Sequence, residues 1–271
     1  MVLHPISSAP AGSPGSAPDS AWDAVARKQQ QSAEAWWLIA QPDHAALAGD
    51  LAALLDTPLI PKLDEPVLRS ISLHDSGWAR FDGGERGTGR DLEVSLREPR
   101  THANGKPLSF LEMLPPEFVV AWEDSIQRAT EVSWIGGAMV SEHFCRLAQS
   151  RLSSDHDNAQ DRQLLTEFQS RQSRRQADLM NQAKCSREEL ALLTDVLQFC
   201  DLLSLYICCG AEARVTFPQT FGNRSISIRL DGGMYQVEPT ILGGGASLGV
   251  TARRFPDHGA LQISTLPVLI Q

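Results

Sequence analysis

The chain has 271 residues, 42% of them hydrophobic, and a formal net charge of −9. This length predicts one large domain or two small ones, with enough apolar residues for a substantial core. The acidic balance argues against broad binding to nucleic acids or anionic membranes, because a phosphate surface recruits an excess of Lys and Arg.

Cysteine usage and hydropathy predict a protein of the reducing cytoplasm. The five cysteines are odd in number and show no CxxC spacing, so neither a disulfide framework nor a thiolate zinc site is expected. The sequence shows no basic segment followed by an apolar run at its start, and no stretch approaches the ~20 apolar residues of a membrane span. We expect a small-molecule substrate rather than a nucleic-acid or membrane partner, and the pattern leaves the oligomeric state open.

The amino-acid composition of the chain changes near residue 20. Residues 1–20 are dominated by Pro, Ala, Ser and Gly, which predicts a disordered tail. We expect residues 21–271 to form a single domain. Its first clear helix spans residues 41–55, where leucines recur at helical spacing behind Pro42 and Asp43.

Helical patterns dominate the middle of the chain. A second helix should begin after Asp64 as N-cap and end at Gly77. Residues 82–109 are rich in Gly, Arg, Pro and Asp, which indicates a long irregular segment. The remaining helical patterns cover residues 115–131, 134–150, 159–184 and 186–209.

From residue 214 the pattern becomes that of β-strands. Short, alternating, β-branched segments are separated by glycine pairs, and a hairpin should turn at Asp231-Gly232-Gly233. We therefore predict a mainly α protein: a helical bundle carrying a small C-terminal β appendage at about residues 214–271.

Four positions far apart in the chain carry the chemistry that suits a metal centre. His44 lies on the first helix, His74 and Asp75 are adjacent on the second, and Asp201 lies on the most apolar helix. Helices of a bundle can project such side chains towards one point. A carboxylate on so apolar a helix is costly to bury unless it binds a metal or an arginine, although an Asp facing solvent would produce the same pattern.

Imidazole and carboxylate ligands predict a divalent transition metal: Mn, Fe, Zn, Co or Ni, as one or two ions. His143, on a further helix, would bind a second ion or the substrate. Our catalytic candidates are Asp75, His143 and Asp82, the last as a carboxylate that orients a coordinated histidine. Asp43 and Glu142 are weaker candidates for that role, because their neighbouring histidines point elsewhere on a helix.

Two residues beside the His-Asp pair are candidates for the substrate pocket. Trp78 would line it, and Arg80 would contact an anionic substrate. Further basic residues in the irregular segment could do the same, but a solvated loop surface explains them equally well. His102 and His156 also fall in loop-like segments, where we expect solvated side chains.

The order of these ligands resembles the HD-domain superfamily: a helical His44, then the pair His74-Asp75, then a late helical Asp201. That resemblance implies a helical bundle with a divalent metal, in which these four residues bind the first ion and His143 matches the additional histidine of two-metal members. Many members are phosphohydrolases and some are di-iron oxygenases.

A closer resemblance is carried by the segments WWLIAQPDHAALAGDLA, ISLHDSGWARFD, GKPLSFLEM and AMVSEHF. These are similar to the uncharacterised bacterial family numbered 3891 among domains of unknown function, from about residue 36 to the C-terminus. Membership of that family implies no activity.

We therefore predict a metal-dependent hydrolase of a small phosphorylated or otherwise anionic metabolite. One alternative is a di-iron oxygenase of the HD type. The other is a non-catalytic helical binding protein with a degenerate site, which would fit if His44 and Asp201 face different cores.

Overall fold

The computed structural model of the chain describes residues 1–6, 17–83, 98–154, 157–257 and 261–271. Within these ranges the helices are α1 (Ala21–Gln30), α2 (Gln41–Ala53), α3 (Glu65–Ser72), α4 (Ala79–Asp82), α5 (Pro115–Val132), α6 (Trp134–Leu152), α7 (Ala159–Ala183) and α8 (Arg187–Cys208). The strands are β1 (Val2–Pro5), β2 (Trp36–Ile39), β3 (Val215–Phe221), β4 (Arg224–Asp231), β5 (Met234–Glu238), β6 (Ala246–Phe255) and β7 (Ile263–Ile270).

The seven strands form one mixed, curled sheet in the order β1-β2-β6-β7-β5-β4-β3. Neighbouring strands are antiparallel except β5 and β7, which pair in parallel at Tyr235 and Ile270. The predicted hairpin is confirmed: β4 and β5 are joined by Gly232 and Gly233, whose φ values of 56° and 82° glycine adopts without steric cost.

The predicted fold class, a mainly α HD-like bundle with a small appendage, is wrong. About 52% of the residues that the structure describes are helical, and the seven-stranded sheet is a substantial part of the structure. The sheet is also not confined to the C-terminal segment, because β2 pairs with β6 and β1 pairs with β2. Each of these two early strands has only four residues, too few to show a period-two pattern.

The first strand also corrects the expectation of a tail at residues 1–20. Val2 and Leu3 are fully buried, and Ser20 caps α1 by accepting a hydrogen bond from the backbone N–H of Asp23. Residues 7–16 of the expected tail lie outside the described residues.

Helix α8 forms the centre of the helical layer and packs against α1, α2 and α6. Ser186 caps it, and its leucines are buried through most of its length. It is the one helix within the described ranges that is long and apolar enough to cross a membrane, but 72% of its most apolar window is buried inside the protein. That burial is typical of a core helix.

The second predicted helix ends earlier than expected. Asp64 caps α3 as predicted, by accepting from the backbone N–H of Val67 at 3.0 Å, but α3 ends at Ser72. A turn follows, and Gly77 lies in a short 3-10 helix where a Cβ atom would overlap the backbone oxygen of Ala121 in α5. Gly77 therefore permits α5 to approach the turn that carries His74 and Asp75.

Candidate metal centre

Five side chains named from the sequence meet between α2, α6, α8 and the turn after α3. His44 Nε2 lies 2.9 Å from Asp75 Oδ2, and His74 Nε2 lies 3.2 Å from Asp201 Oδ1. The centre is continuous, because His74 Nε2 is also 3.8 Å from Asp75 Oδ2 and His44 Nδ1 is 3.9 Å from Asp201 Oδ1. His143 completes it, with Nε2 at 3.8 Å from Asp201 Oδ2.

These atoms form two overlapping groups that could each hold a metal ion. One contains His44, His74 and Asp75, the other contains His74, His143 and Asp201, and within each group the ligand atoms lie within 4.8 Å of one another. With metal–ligand bonds of ~2.1 Å, two ligands of one ion lie about 3.0 to 3.4 Å apart. Small side-chain shifts would bring either group to that spacing, and His74 belongs to both.

Hydrogen bonds through Nδ1 orient two of the histidines. His74 Nδ1 lies 2.8 Å from the backbone oxygen of Ile71, which can only accept, so Nδ1 carries the proton in the neutral ring. The Ser204 hydroxyl donates to the backbone oxygen of Asp201 at 2.8 Å and therefore accepts from His44 Nδ1 at 3.0 Å. In the neutral form of each ring Nε2 is then the unprotonated nitrogen and faces the carboxylates, which is the arrangement of a coordinated histidine.

His143 lacks such an anchor. Its ring is buried, and its Nδ1 atom has no hydrogen-bond partner among the residues that the structure describes. Burial lowers the pKa of His143 to about 4 despite the nearby Asp201, so the ring is neutral at pH 7. A neutral imidazole is the form that binds a metal or accepts a proton.

The pKa of His74 is shifted in the opposite direction to that of His143. Burial would lower the pKa of this ring, but Asp75 and Asp201 together raise it to about 9. Burial would likewise raise the pKa of Asp201, but the hydrogen bond and charge of His74 lower it to about 2. Without a cation the centre therefore holds a proton between His74 and the carboxylates, in the place where a divalent ion would lie.

The centre forms one end of a cavity of about 470 Å³. His44 and His74 are fully buried, whereas the side chains of Asp75 and Asp201 are 13% and 14% exposed and line the cavity. The cavity wall is mostly apolar, with Phe110, Met113, Phe118, Trp122, Phe144 and Leu147 among its residues. Trp78 is also among its lining residues.

Asp82 and Arg80 lie away from the ligands. Asp82 is buried, but it accepts from the backbone N–H of Gln41 at 3.1 Å and pairs with the amino group of Met1 at 3.1 Å. It anchors the first residue of α2 instead of orienting a histidine. Arg80 lies at the surface, 3.4 Å from Asp124, and does not line the cavity.

The structure also shows the surroundings of three of the four residues that the sequence analysis rated lower. Glu142 pairs with Arg146 at 3.1 Å, and Asp43 is buried in the first turn of α2. His102 is half exposed and bonded to Glu112, while His156 lies outside the described residues.

Sequence reasoning missed the partners that orient the histidines. Ser204 lies three residues after Asp201, one helical turn away, and this spacing could have identified it. The backbone oxygen of Ile71 leaves no signal in the sequence. Gln41, which also lines the cavity, lies one turn before His44 and was detectable in the same way.

Together, fold and site define a helical layer on a curled mixed sheet, with a buried His/Asp cluster of a composition that could hold a metal ion. The chain belongs to the family described as Protein of unknown function (DUF3891), whose profile matches residues 28–242. That match confirms the resemblance to family 3891 and includes all five candidate ligands; it does not extend to the HD-domain superfamily. No curated protein and no solved structure matches the chain.

Proposed function

We propose that this protein is a metal-dependent hydrolase of a small phosphorylated or otherwise anionic metabolite. One observation carries the proposal: His44, His74, Asp75 and Asp201 converge beside a cavity that Asp75 and Asp201 line, and the Nε2 atoms of both histidines face the carboxylates. The order of the ligands along the chain resembles that of HD-type centres, although the overall fold is not the HD-like bundle expected.

The donor set fits one or two divalent ions of Mn, Fe, Zn, Co or Ni. A bound ion would polarise a substrate oxygen and lower the pKa of a water molecule. His44 and His74 would hold it through Nε2, on the side away from the cavity. Asp75 and Asp201 would bind it from the cavity side, where their carboxylates can also orient a water molecule. His143 is neutral and can accept a proton or bind a second ion.

The first test is elemental analysis of protein purified without chelators. We expect near-stoichiometric transition metal in the wild type and its loss in His74→Ala combined with Asp75→Ala. A panel of phosphomonoesters and phosphodiesters, with and without added metal, then tests hydrolysis. Protein that is metal-free after purification and after incubation with each metal would contradict the proposal.

A di-iron oxygenase is a second candidate, favoured by the apolar wall of the cavity and by five ligands arranged in two groups sharing His74. An organic substrate with little charge suits such a wall better than a phosphate does. Iron in the purified protein, with a visible or Mössbauer signature that depends on His143, would favour this candidate over the hydrolase.

The degenerate-site alternative is less well supported, because the separation of His44 and Asp201 that would favour it is not seen: His44 Nδ1 lies 3.9 Å from Asp201 Oδ1. We also propose a cytoplasmic location. Its support is that all five cysteines are unpaired, as is typical of a reducing compartment.

A further inference from the structure

Gln41 carries a buried side-chain amide that makes no hydrogen bond with the residues that the structure describes. Its side chain is in the cavity wall, the residue is 1% exposed, and neither Nε2 nor Oε1 has a hydrogen-bond partner within the described ranges. Leaving both atoms unpaired is costly, and a leucine or methionine would fill the position without that cost. The amide is therefore better explained by a ligand than by the stability of the fold.

The position of Gln41 ties it to the metal centre. It lies three residues before His44 on α2, so the two residues share one face of the helix. Its backbone N–H is held by the buried carboxylate of Asp82 at 3.1 Å. This contact fixes the first turn of α2 while leaving the Gln41 side chain free to bind in the cavity.

Two further cavity residues share this property. The indole Nε1 of Trp78 is buried without a partner in the part of the chain that the structure describes, and Trp78 lies three residues after Asp75. Gln219 Oε1, on β3, is in the same condition. Between them these side chains offer hydrogen-bond donors and acceptors without formal charge.

The charged residues of the cavity also indicate an uncharged ligand group. Both of its arginines are already neutralised: Arg146 lies 2.6 Å from Asp195, and Arg151 lies 2.7 Å from Asp157. An anionic group far from the metal centre would therefore find no uncompensated cation among the described lining residues. An uncharged group that both donates and accepts would satisfy the Gln41 amide.

We propose that Gln41 and Trp78 are specificity-determining residues that bind an uncharged amide-type group, such as a carboxamide or lactam, on an aromatic or aliphatic substrate. The inference rests on the proposed function in so far as the cavity receives the substrate. The aromatic wall would contact the apolar body of the substrate, and its reacting group would face Asp75 and Asp201.

The test compares three probes of similar size by fluorine NMR on the purified full-length protein: para-fluorobenzamide, para-fluoro-isopropylbenzene and para-fluorobenzoate. We expect the amide to bind the wild type about fivefold more tightly than the isopropyl compound, as one or two neutral hydrogen bonds allow. Gln41→Met and Trp78→Phe should each reduce that preference.

The matched control is Gln198→Met. Gln198 also lines the cavity, but its Oε1 already accepts from Arg146 at 3.0 Å, so the amide preference should persist in this variant. The midpoint of thermal unfolding should not fall in Gln41→Met, because the substitution removes unpaired polar atoms; a structural role for Gln41 would lower it.

Three results would overturn the inference: equal binding of the amide and isopropyl probes, a preference that survives Gln41→Met, or tighter binding of the benzoate that is lost in Gln41→Met. The outcome is independent of the hydrolase test. A Gln41-dependent amide preference with no hydrolysis would support the inference and count against the proposed function. Metal-dependent hydrolysis without that preference would do the reverse.

Discussion

The two sides of the candidate metal centre differ in how firmly their histidines are held. His44 and His74 are each anchored through Nδ1, by Ser204 and by the backbone oxygen of Ile71, and both Nε2 atoms point at carboxylates. His143 has no such anchor within the described residues, and its Nε2 is 3.8 Å from the nearest carboxylate oxygen of Asp201. A preorganised side can bind an ion tightly, whereas an unanchored ring can adapt to a second ion or a substrate.

The largest effect should come from His74→Ala, because His74 belongs to both ligand groups. We expect metal affinity to fall more than about 100-fold, beyond the loss typical of an orienting partner. Elemental analysis after dialysis measures the change. His102→Ala is the matched control: it removes a half-exposed histidine bonded to Glu112 and should leave the metal content unchanged.

The second largest effect should come from removing the Ser204 hydroxyl, which anchors the His44 ring. Ser204→Ala removes the acceptor that fixes the His44 ring, and metal affinity should fall by about 10- to 100-fold while the fold is retained. Competition with a coloured chelator gives the affinity. Thr194→Val is the control, since Thr194 carries a buried hydroxyl on the same helix that donates to the backbone oxygen of Leu190. Equal affinities in wild type and Ser204→Ala would show that the anchor is unimportant.

A smaller effect on the first ion is expected for His143→Ala. If the anchored side binds alone, affinity for the first ion should change by less than about tenfold, which corresponds to 1.4 kcal/mol. Any second equivalent of metal should be lost, and turnover with it. Isothermal titration calorimetry separates the two events. If His143→Ala lost all of its metal, as expected for His74→Ala, the distinction between an anchored and an unanchored side would be wrong.

The smallest effect is a pH dependence of the metal-free protein. The folded pKa of His74, about 9, exceeds its ordinary value of 6.5, so the proton stabilises the fold fully below pH 6.5 and this contribution is lost as the pH rises towards 9. The thermal midpoint of chelator-treated protein should therefore fall over that interval. In the metal-loaded protein a cation replaces the proton, and the decline should be absent.

At acid pH the stability of the fold should depend on Asp201, the carboxylate that pairs with His74. The folded pKa of Asp201, about 2, lies below its ordinary value of 3.8, so its stabilising contribution is present above pH 3.8 and is lost as the pH falls towards 2. Asp201→Asn should flatten both ends of the stability profile. A profile unchanged by this substitution would contradict the pairing of His74 with Asp201.

The candidate ligands could be found from sequence because their signal is local. A polar residue on an apolar helix, such as Asp201, or a His-Asp pair behind an apolar face, is visible without knowing the fold. The partners that orient them were harder to find: Ile71 contributes a backbone atom. Asp82 was selected because it lies near the His-Asp pair in sequence, but its carboxylate binds the backbone N–H of Gln41 at the start of α2 instead of a histidine.

The sheet could not be predicted for a different reason. Strands β3 to β7 are close together in sequence and carry an alternating pattern, so most of them were detected. Strands β1 and β2 are stabilised by pairing with distant partners: Trp36 lies opposite Phe255. Nothing in four residues of local sequence specifies that pairing, and the Pro- and Ser-rich residues that follow β1 pointed to a tail instead of a strand.

The pairing of β2 with β6 also sets an order for folding. These strands are more than 200 residues apart, and contacts over such separations close late because the loop entropy must be overcome first. Strand β2 leads through Ala40 directly into α2, the helix that carries His44. Acquisition of a metal ion should therefore follow completion of the sheet, so a refolding protein would become protected from chelator only in its slowest phase.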